Sequence, residues 1–274
     1  MSGLRTRIAP TPSGYLHAGN ALNFLIIHQV AREEDGALLL RIDDLDTERV
    51  RPEYVKDIFD SLAWLGISWD EGPRDAAGFH QNWSQTFRTD EPNAFLSRLK
   101  DSGHLCACTC SRKQVADCRC RDMDVPFDAQ DTAWRLRVPD PCPITLKNWP
   151  TGEVHVDLRS VMRDPVLRQR NGSPAYQLAS LADDTRYGMT LIVRGEDLLP
   201  SSACQIYLAG LLGLNAFLNV RFLHHPLIAD GNGHKLSKSA GAYSLRAMRS
   251  AGGTADLLRK RAADLLALLR AQGL

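Results

Sequence analysis

Apolar residues along the chain fall alternately into short continuous runs and helical stripes. Residues 4–9 form a strand-like run that Pro10, Pro12, Ser13 and Gly14 break. Leu22, Leu25, Ile26 and Val30 then recur near a 3.6-residue period and predict a helix. Residues 37–42, ALLLRI, are almost wholly apolar, as in a parallel strand covered on both faces, and Asp43, Asp44 and Asp46 stand at the carboxyl end. After Pro52 a second helix carries Val55, Ile58, Phe59, Leu62 and Leu65 and stops at Gly66. Strand, helix, strand, helix is the opening of an α/β fold with a nucleotide crevice at the strands' carboxyl ends.

The alternation breaks over residues 101–167, which hold the cysteine cluster, several prolines (among them Pro126, Pro139, Pro141, Pro143 and Pro150) and strand-like pieces at 134–138 and 154–158. This stretch is expected to be an inserted α+β subdomain. From Pro174 the pattern resumes with a helix to Asp184, a strand at 189–193, a helix at 202–213, a strand near 222–228 and a Gly-rich loop at 231–241. A helical tail from Thr254 carries Leu258, Ala262, Leu265 and Leu269 on one stripe. The expected division is 1–100, first half of the catalytic domain; 101–167, insert; 168–241, second half; and 242–274, helical tail.

Composition narrows the class. The chain has 274 residues, 44% hydrophobic and 24% charged, which excludes a disordered or fibrous protein. With 33 Lys+Arg against 32 Asp+Glu, any nucleic-acid partner must be held by a local basic patch. No signal-like or membrane-length apolar segment is seen, so a cytoplasmic protein without a membrane partner is expected. Five of the seven cysteines crowd together, and in that compartment the arrangement points to a metal before disulfides. Cys108-x-Cys110 and Cys118-x-Cys120 can present four thiolates to a tetrahedral zinc, with Cys106 competing for the place of Cys118. Cys142 and Cys204 stand alone and read as packing residues. His224 and His225 are adjacent on a strand, point to opposite faces and do not make a metal pair.

Two segments carry polyphosphate chemistry. Residues 7–20, RIAPTPSGYLHAGN, run from strand through turn into helix and set backbone N–H groups and a helix N-terminus beside an anion. Gly14 and Gly19 permit close approach, and His17 is placed to donate to a phosphate. Residues 231–241, GNGHKLSKSAG, hold Lys235 and Lys238 three apart in a flexible loop, suited to gripping a leaving polyphosphate.

Together, HAGN (17–20) and KLSKS (235–239) resemble the HIGH and KMSKS signatures of class I aminoacyl-tRNA synthetases. RIAPTPSGYLH, RIDDLD (41–46), PAYQLASLADD (174–184) and LIVRGEDLL (191–199) are similar to motifs of the glutamyl and glutaminyl branch. Only 35 residues follow Ser239, too few for an anticodon-binding domain, so the chain most resembles the shortened paralogues of glutamyl-tRNA synthetase. The resemblance implies a Rossmann-like catalytic domain with a zinc-bearing insert and a short helical tail. It implies ATP-dependent activation of L-glutamate to glutamyl-adenylate and transfer to queuosine in the anticodon of tRNA-Asp, by a monomer.

It also implies the roles of residues. Arg7, Ala9, Thr11, Tyr176 and Arg194 would contact glutamate, and Asp43 its ammonium group. His17 and Asn20 would face the phosphates of ATP, Gly14 and Gly19 would line its site, and Lys235 and Lys238 would hold pyrophosphate. Mg²⁺ would accompany ATP, and one structural Zn²⁺ per chain would sit on Cys108, Cys110, Cys118 and Cys120. Arg194 favours glutamate, since the glutaminyl enzymes lack an arginine there; Asp43, aspartate in those enzymes, keeps glutamine open. The other readings are a ligase with a non-tRNA acceptor and a non-catalytic tRNA-binding module.

Overall fold

A computed structural model describes residues 3–111, 113–114, 118–227 and 244–271. The chain runs β1 (Arg5–Ile8), α1 (Ala18–Glu33), β2 (Ala37–Leu40), α2 (Pro52–Trp64), the single turn α3 (Ala76–Gly78) and α4 (Asp90–Asp101). Then come β3 (Leu105–Cys108), β4 (Ala133–Leu136), β5 (Pro143–Asn148), β6 (Glu153–Asp157), α5 (Leu158–Val161) and β7 (Val166–Arg168). The described chain closes with α6 (Tyr176–Arg186), β8 (Leu191–Gly195), α7 (Leu199–Leu212), β9 (Arg221–His225), α8 (Leu245–Ser250) and α9 (Asp256–Ala271).

β1 pairs in parallel with β2, while β8 pairs in parallel with β9 and β9 with β5; β6 returns antiparallel beside β5. The two groups meet where the Thr190 N–H donates to the Arg5 carbonyl (2.9 Å) and the Arg5 N–H to Thr190 Oγ1 (2.8 Å). The order across the molecule is therefore β2-β1-β8-β9-β5-β6, and the connections reverse direction between β1 and β8. That reversal opens a crevice at the carboxyl ends of these two strands, where α/β sheets bind ligands.

Both faces of this sheet are covered, which explains the nearly continuous apolar runs. Leu38 and Leu40 join the core with α1, α2 and α9, whereas Leu39 between them joins the opposite core with α6 and α7. Val193 and Ile192, and Leu223 and Phe222, divide in the same way. The tail helix α9 packs along α1 through Leu258, Ala262, Leu266 and Leu269, so Leu266 rather than Leu265 centres its buried stripe. Arg259 on its flank donates to the Leu65 carbonyl (3.1 Å), satisfying the end of α2 just before Gly66, whose φ is +70°.

Only β3, β4 and β7 form a separate antiparallel sheet, while β5 and β6 extend the main sheet, Lys147 opposite Arg221 and Asn148 opposite Phe222. Prolines hid β5 in the sequence, but Pro143 is its first residue, where no ladder hydrogen bond is lost. Among the described residues no helix is long and apolar enough to cross a membrane.

Candidate active site

α1 begins at the crevice, capped by the HAGN segment itself. His17 is the N-cap, and its Nδ1 accepts from the N–H groups of Gly19 (3.1 Å) and Asn20 (3.4 Å), while Asn20 Oδ1 accepts from the His17 N–H (3.1 Å). This reciprocal capping box satisfies the first turn and puts the neutral ring's proton on Nε2. A Cβ at Gly19 would stand 3.0 Å from the His17 ring, so any side chain there would press the ring aside by a few tenths of an ångström. A Cβ at Gly14 would meet nothing within 4 Å, consistent with a backbone open to a ligand.

Lys235 and Lys238 lie outside the described residues. Of the described residues on either side, the Leu227 N–H donates to Glu196 Oε1 (3.1 Å), and Ser244 forms a β-bridge with His17. Immediately afterwards the Leu245 N–H donates to the Leu16 carbonyl (2.8 Å).

Thr11, Asp43 and Tyr176 line one cavity of about 200 Å³, together with Gln85, Gln169 and Ser180. Beneath it lies a buried ionic network. Arg41 forks onto Asp43 (2.6 and 3.0 Å) and reaches Asp184 (2.7 Å), which also takes Arg7 (2.8 Å). Asp183 accepts from Arg88 (2.6 Å) and Gln85 (2.7 Å). Burial pushes the Asp43 carboxyl up, against the pull of Arg41 and with the help of Asp183 and Asp184. For Asp184 burial is overcome: the guanidinium groups of Arg7 and Arg41 hold it below the usual carboxylate range. Arg7 thus enters the site as a paired group, fixed by Asp184, and Ala9 follows it out of β1 at the crevice.

Arg194, near the carboxyl end of β8, is only 3% exposed. Its Nη1 donates to Gln205 Oε1 (3.1 Å), but Nε and Nη2 meet no partner, and neither does Gln205 Nε2. Burial lowers its pKa, a shift that Tyr176 opposes and the nearby Arg7 cation reinforces. Each unpaired buried donor costs on the order of 1–3 kcal/mol, so the arrangement makes sense as a receptor for an anion. Burial and the Arg194 cation also depress His224 to about 3, leaving a neutral ring bonded to Ser202 Oγ (2.8 Å). His225 bonds to Asn23 Oδ1 (3.0 Å), so the two histidines do not converge.

The sequence motifs contained Arg41, Asp183 and Asp184 without revealing a role for them, and Arg88, Gln85 and Gln205 went unnoticed. The available signal was a polar residue inside an apolar helix stripe: Gln205 in SSACQIYLAG is fully buried, as are the adjacent acids that close α6.

The sulfur atoms of Cys108, Cys110, Cys118 and Cys120 lie within 4.8 Å of one another, with Cys108–Cys118 at 3.6 Å and Cys110–Cys120 at 3.5 Å. A tetrahedral zinc with bonds of about 2.3 Å needs sulfurs roughly 3.8 Å apart, so this set fits a metal ion such as zinc. Burial raises the Cys120 thiol, but a Thr109 backbone hydrogen bond and the neighbouring sulfurs outweigh it and bring the pKa to about 7. Cys106 is not in the cluster; two residues earlier on β3, it is buried and its thiol is raised by burial to about 11. Cys142 and Cys204 are buried packing residues.

Comparison with known proteins gives the class to which this site belongs. The family model for the catalytic domain of class I tRNA synthetases (E and Q) matches residues 3–131 and 121–260, and the chain belongs to this family. Several curated relatives are named glutamyl-Q tRNA(Asp) synthetase. One from Pseudomonas fluorescens is 40% identical over 90% of this chain and 83% of its own, and one from Synechococcus is 37% identical over 97% and 84%. A glutamate–tRNA ligase 2 from Acidithiobacillus ferrooxidans is 35% identical over 96% of this chain but only 58% of its own length. A solved glutamate-tRNA synthetase from Elizabethkingia anophelis shares the fold, with a TM-score of 0.71 at 24% identity over 92% of this chain and 54% of that one.

Proposed function

We propose that this protein activates L-glutamate with ATP and transfers it to queuosine in the anticodon of tRNA-Asp. The observation that carries the reading is Arg194, a buried guanidinium with two unpaired nitrogens beside the crevice. A side-chain carboxylate would satisfy that fork bidentately, whereas a glutamine amide would set its own N–H₂ against a donor. Thr11 and Tyr176 would close over the amino acid, with Arg7 and Ala9 behind it, and the outer face of the Asp43 carboxylate would take its ammonium group.

ATP enters as its Mg²⁺ complex, in which the metal neutralises phosphate charge. A glutamate α-carboxylate oxygen attacks the α-phosphorus, the bond to the bridging oxygen breaks, and pyrophosphate leaves. His17 Nε2–H, Asn20, the first turn of α1 and the open backbone at Gly14 and Gly19 would hold the phosphates. Lys235 and Lys238 would hold the leaving pyrophosphate. No protein nucleophile is needed, so the residues act by positioning and charge neutralisation. A nucleophilic group of the acceptor base then attacks the acyl carbonyl and releases AMP. The four clustered cysteines would hold one structural zinc per chain, and the protein would act as a monomer.

The test is ATP–pyrophosphate exchange with glutamate, glutamine or aspartate, each with and without tRNA. Glutamate should support exchange without tRNA, and Arg194→Gln should lower kcat/KM for glutamate about 100-fold, the loss of two charge-assisted hydrogen bonds. Exchange with glutamine alone would reassign the substrate. No exchange from folded protein would leave a non-catalytic RNA-binding module. Transfer is then read from labelled glutamate on tRNA-Asp with and without queuosine.

A further inference from the structure

Beside the cysteine cluster, among the described residues, lies a second cavity of about 260 Å³ lined by Arg121, Arg135, Arg159 and Arg163 with Asp122 and Asp164. The Asp164 carboxylate braces it: Oδ1 accepts from Arg121 Nη1 (2.9 Å), Arg159 Nη1 (3.0 Å) and the Val138 N–H (3.0 Å). Arg135 Nη1 donates to the Asp164 carbonyl (2.9 Å), while its Nε is buried and has no partner. Four guanidinium groups thus face two carboxylates in a chain that is nearly neutral overall. Arg121 Nη1 also donates to the Val138 carbonyl (2.7 Å), and Arg159 Nε lies 3.9 Å from Asp140, so the positive charge outweighs the acids around it.

Position indicates what the anion is. Pro165 lines this cavity and Gln169 lines the cavity of Asp43 and Tyr176, with the three residues of β7 between them. The four extended steps from Pro165 to Gln169 span about 13 Å. An RNA chain presenting its base to the acyl group of a glutamate held in the Asp43–Tyr176 cavity would carry its backbone phosphates along this strand, and a pocket of forked donors suits such phosphates.

We propose that the Arg121–Arg135–Arg159–Arg163 cavity is a phosphate-binding site that holds a backbone phosphodiester of the RNA acceptor. The proposal rests on the reading of the protein as an RNA-charging enzyme. It supplies the local basic patch that the neutral net charge requires.

The experiment measures binding of queuosine-bearing tRNA-Asp across a salt series for the unchanged protein, Arg135→Gln and Arg163→Gln, with inorganic phosphate as competitor. Arg163 is exposed, so its variant keeps the test valid if Arg135→Gln misfolds. Each variant should weaken RNA binding about tenfold and lower the log–log salt slope by about one, at unchanged zinc content. Unaltered RNA affinity and slope in a folded variant would overturn the proposal. So would variants that lose zinc but still bind RNA, because the arginines would then serve only to balance the negative thiolate cluster. Variants that alter competition by inorganic phosphate but not RNA binding would overturn the RNA assignment. Glutamate-dependent exchange and RNA binding by the unchanged protein report separately on the reading beneath it.

Discussion

Asp184 shows how much of this site depends on single buried charges. Its side chain is fully buried and receives both Arg7, on β1, and Arg41, directly after β2, the two paired strands that border the crevice. Such a network is held by mutual satisfaction, and removing one charge strands its partners in a low-dielectric interior. Asp184→Asn should destabilise the protein by about 3–5 kcal/mol in urea unfolding. A loss below roughly 1 kcal/mol would mean that Arg7 and Arg41 find other partners. In the sequence, LADD closes a helix and looks like an ordinary solvated end. Only the fold reveals both acids as buried, because the cationic partners of Asp184 stand 177 and 143 positions away and Arg88 stands 95 positions from Asp183.

At the scale of elements, the zinc-type cluster ties irregular chain to a short strand. β3 contributes Cys108 from a four-residue ladder with β4, whereas Cys118 and Cys120 lie in a stretch with little regular structure. Arg170 adds to the fastening by donating to the Thr109 and Cys110 carbonyls (2.7 and 2.8 Å). With so few ladder bonds, the metal should supply much of the local order. Metal analysis should find about one zinc per chain, lost in Cys118→Ser and retained in Cys106→Ser. Zinc retained by the first variant and lost by the second would reverse the choice of fourth ligand. The spacing left that choice open because residues alternating along a strand share a face, and only the fold groups Cys118 rather than Cys106 with the other three.

For the whole molecule, burial of neutral histidines ties stability to pH. Burial lowers His28, His225 and His224, the last to about 3. The unfolded chain takes up protons near pH 6.5 while the native one does not, so stability must fall as pH drops below that point. For His224 the loss continues until the native ring titrates near 3. The slope from one such group approaches roughly 1.4 kcal/mol per pH unit. Unfolding free energies between pH 6.5 and 4.5 should show this decline, and His224→Gln should flatten it by about one group's share. A profile identical to that of the unchanged protein would show that Arg194 and the surrounding packing do not keep His224 neutral.

The local pattern determined the parallel strands and their helices. A strand buried on both faces must be apolar at nearly every position, and a helix lying on a sheet must repeat near 3.6, so each signature sits within a few neighbouring residues. The HAGN turn that caps α1 was legible for the same reason, as was the cysteine spacing. The tertiary structure decided what depends on residues distant in sequence: β5 beside β9, Asp184 between Arg7 and Arg41, and the unpaired nitrogens of Arg194. No local period records such pairings, because they exist only once the sheet has brought its strands together.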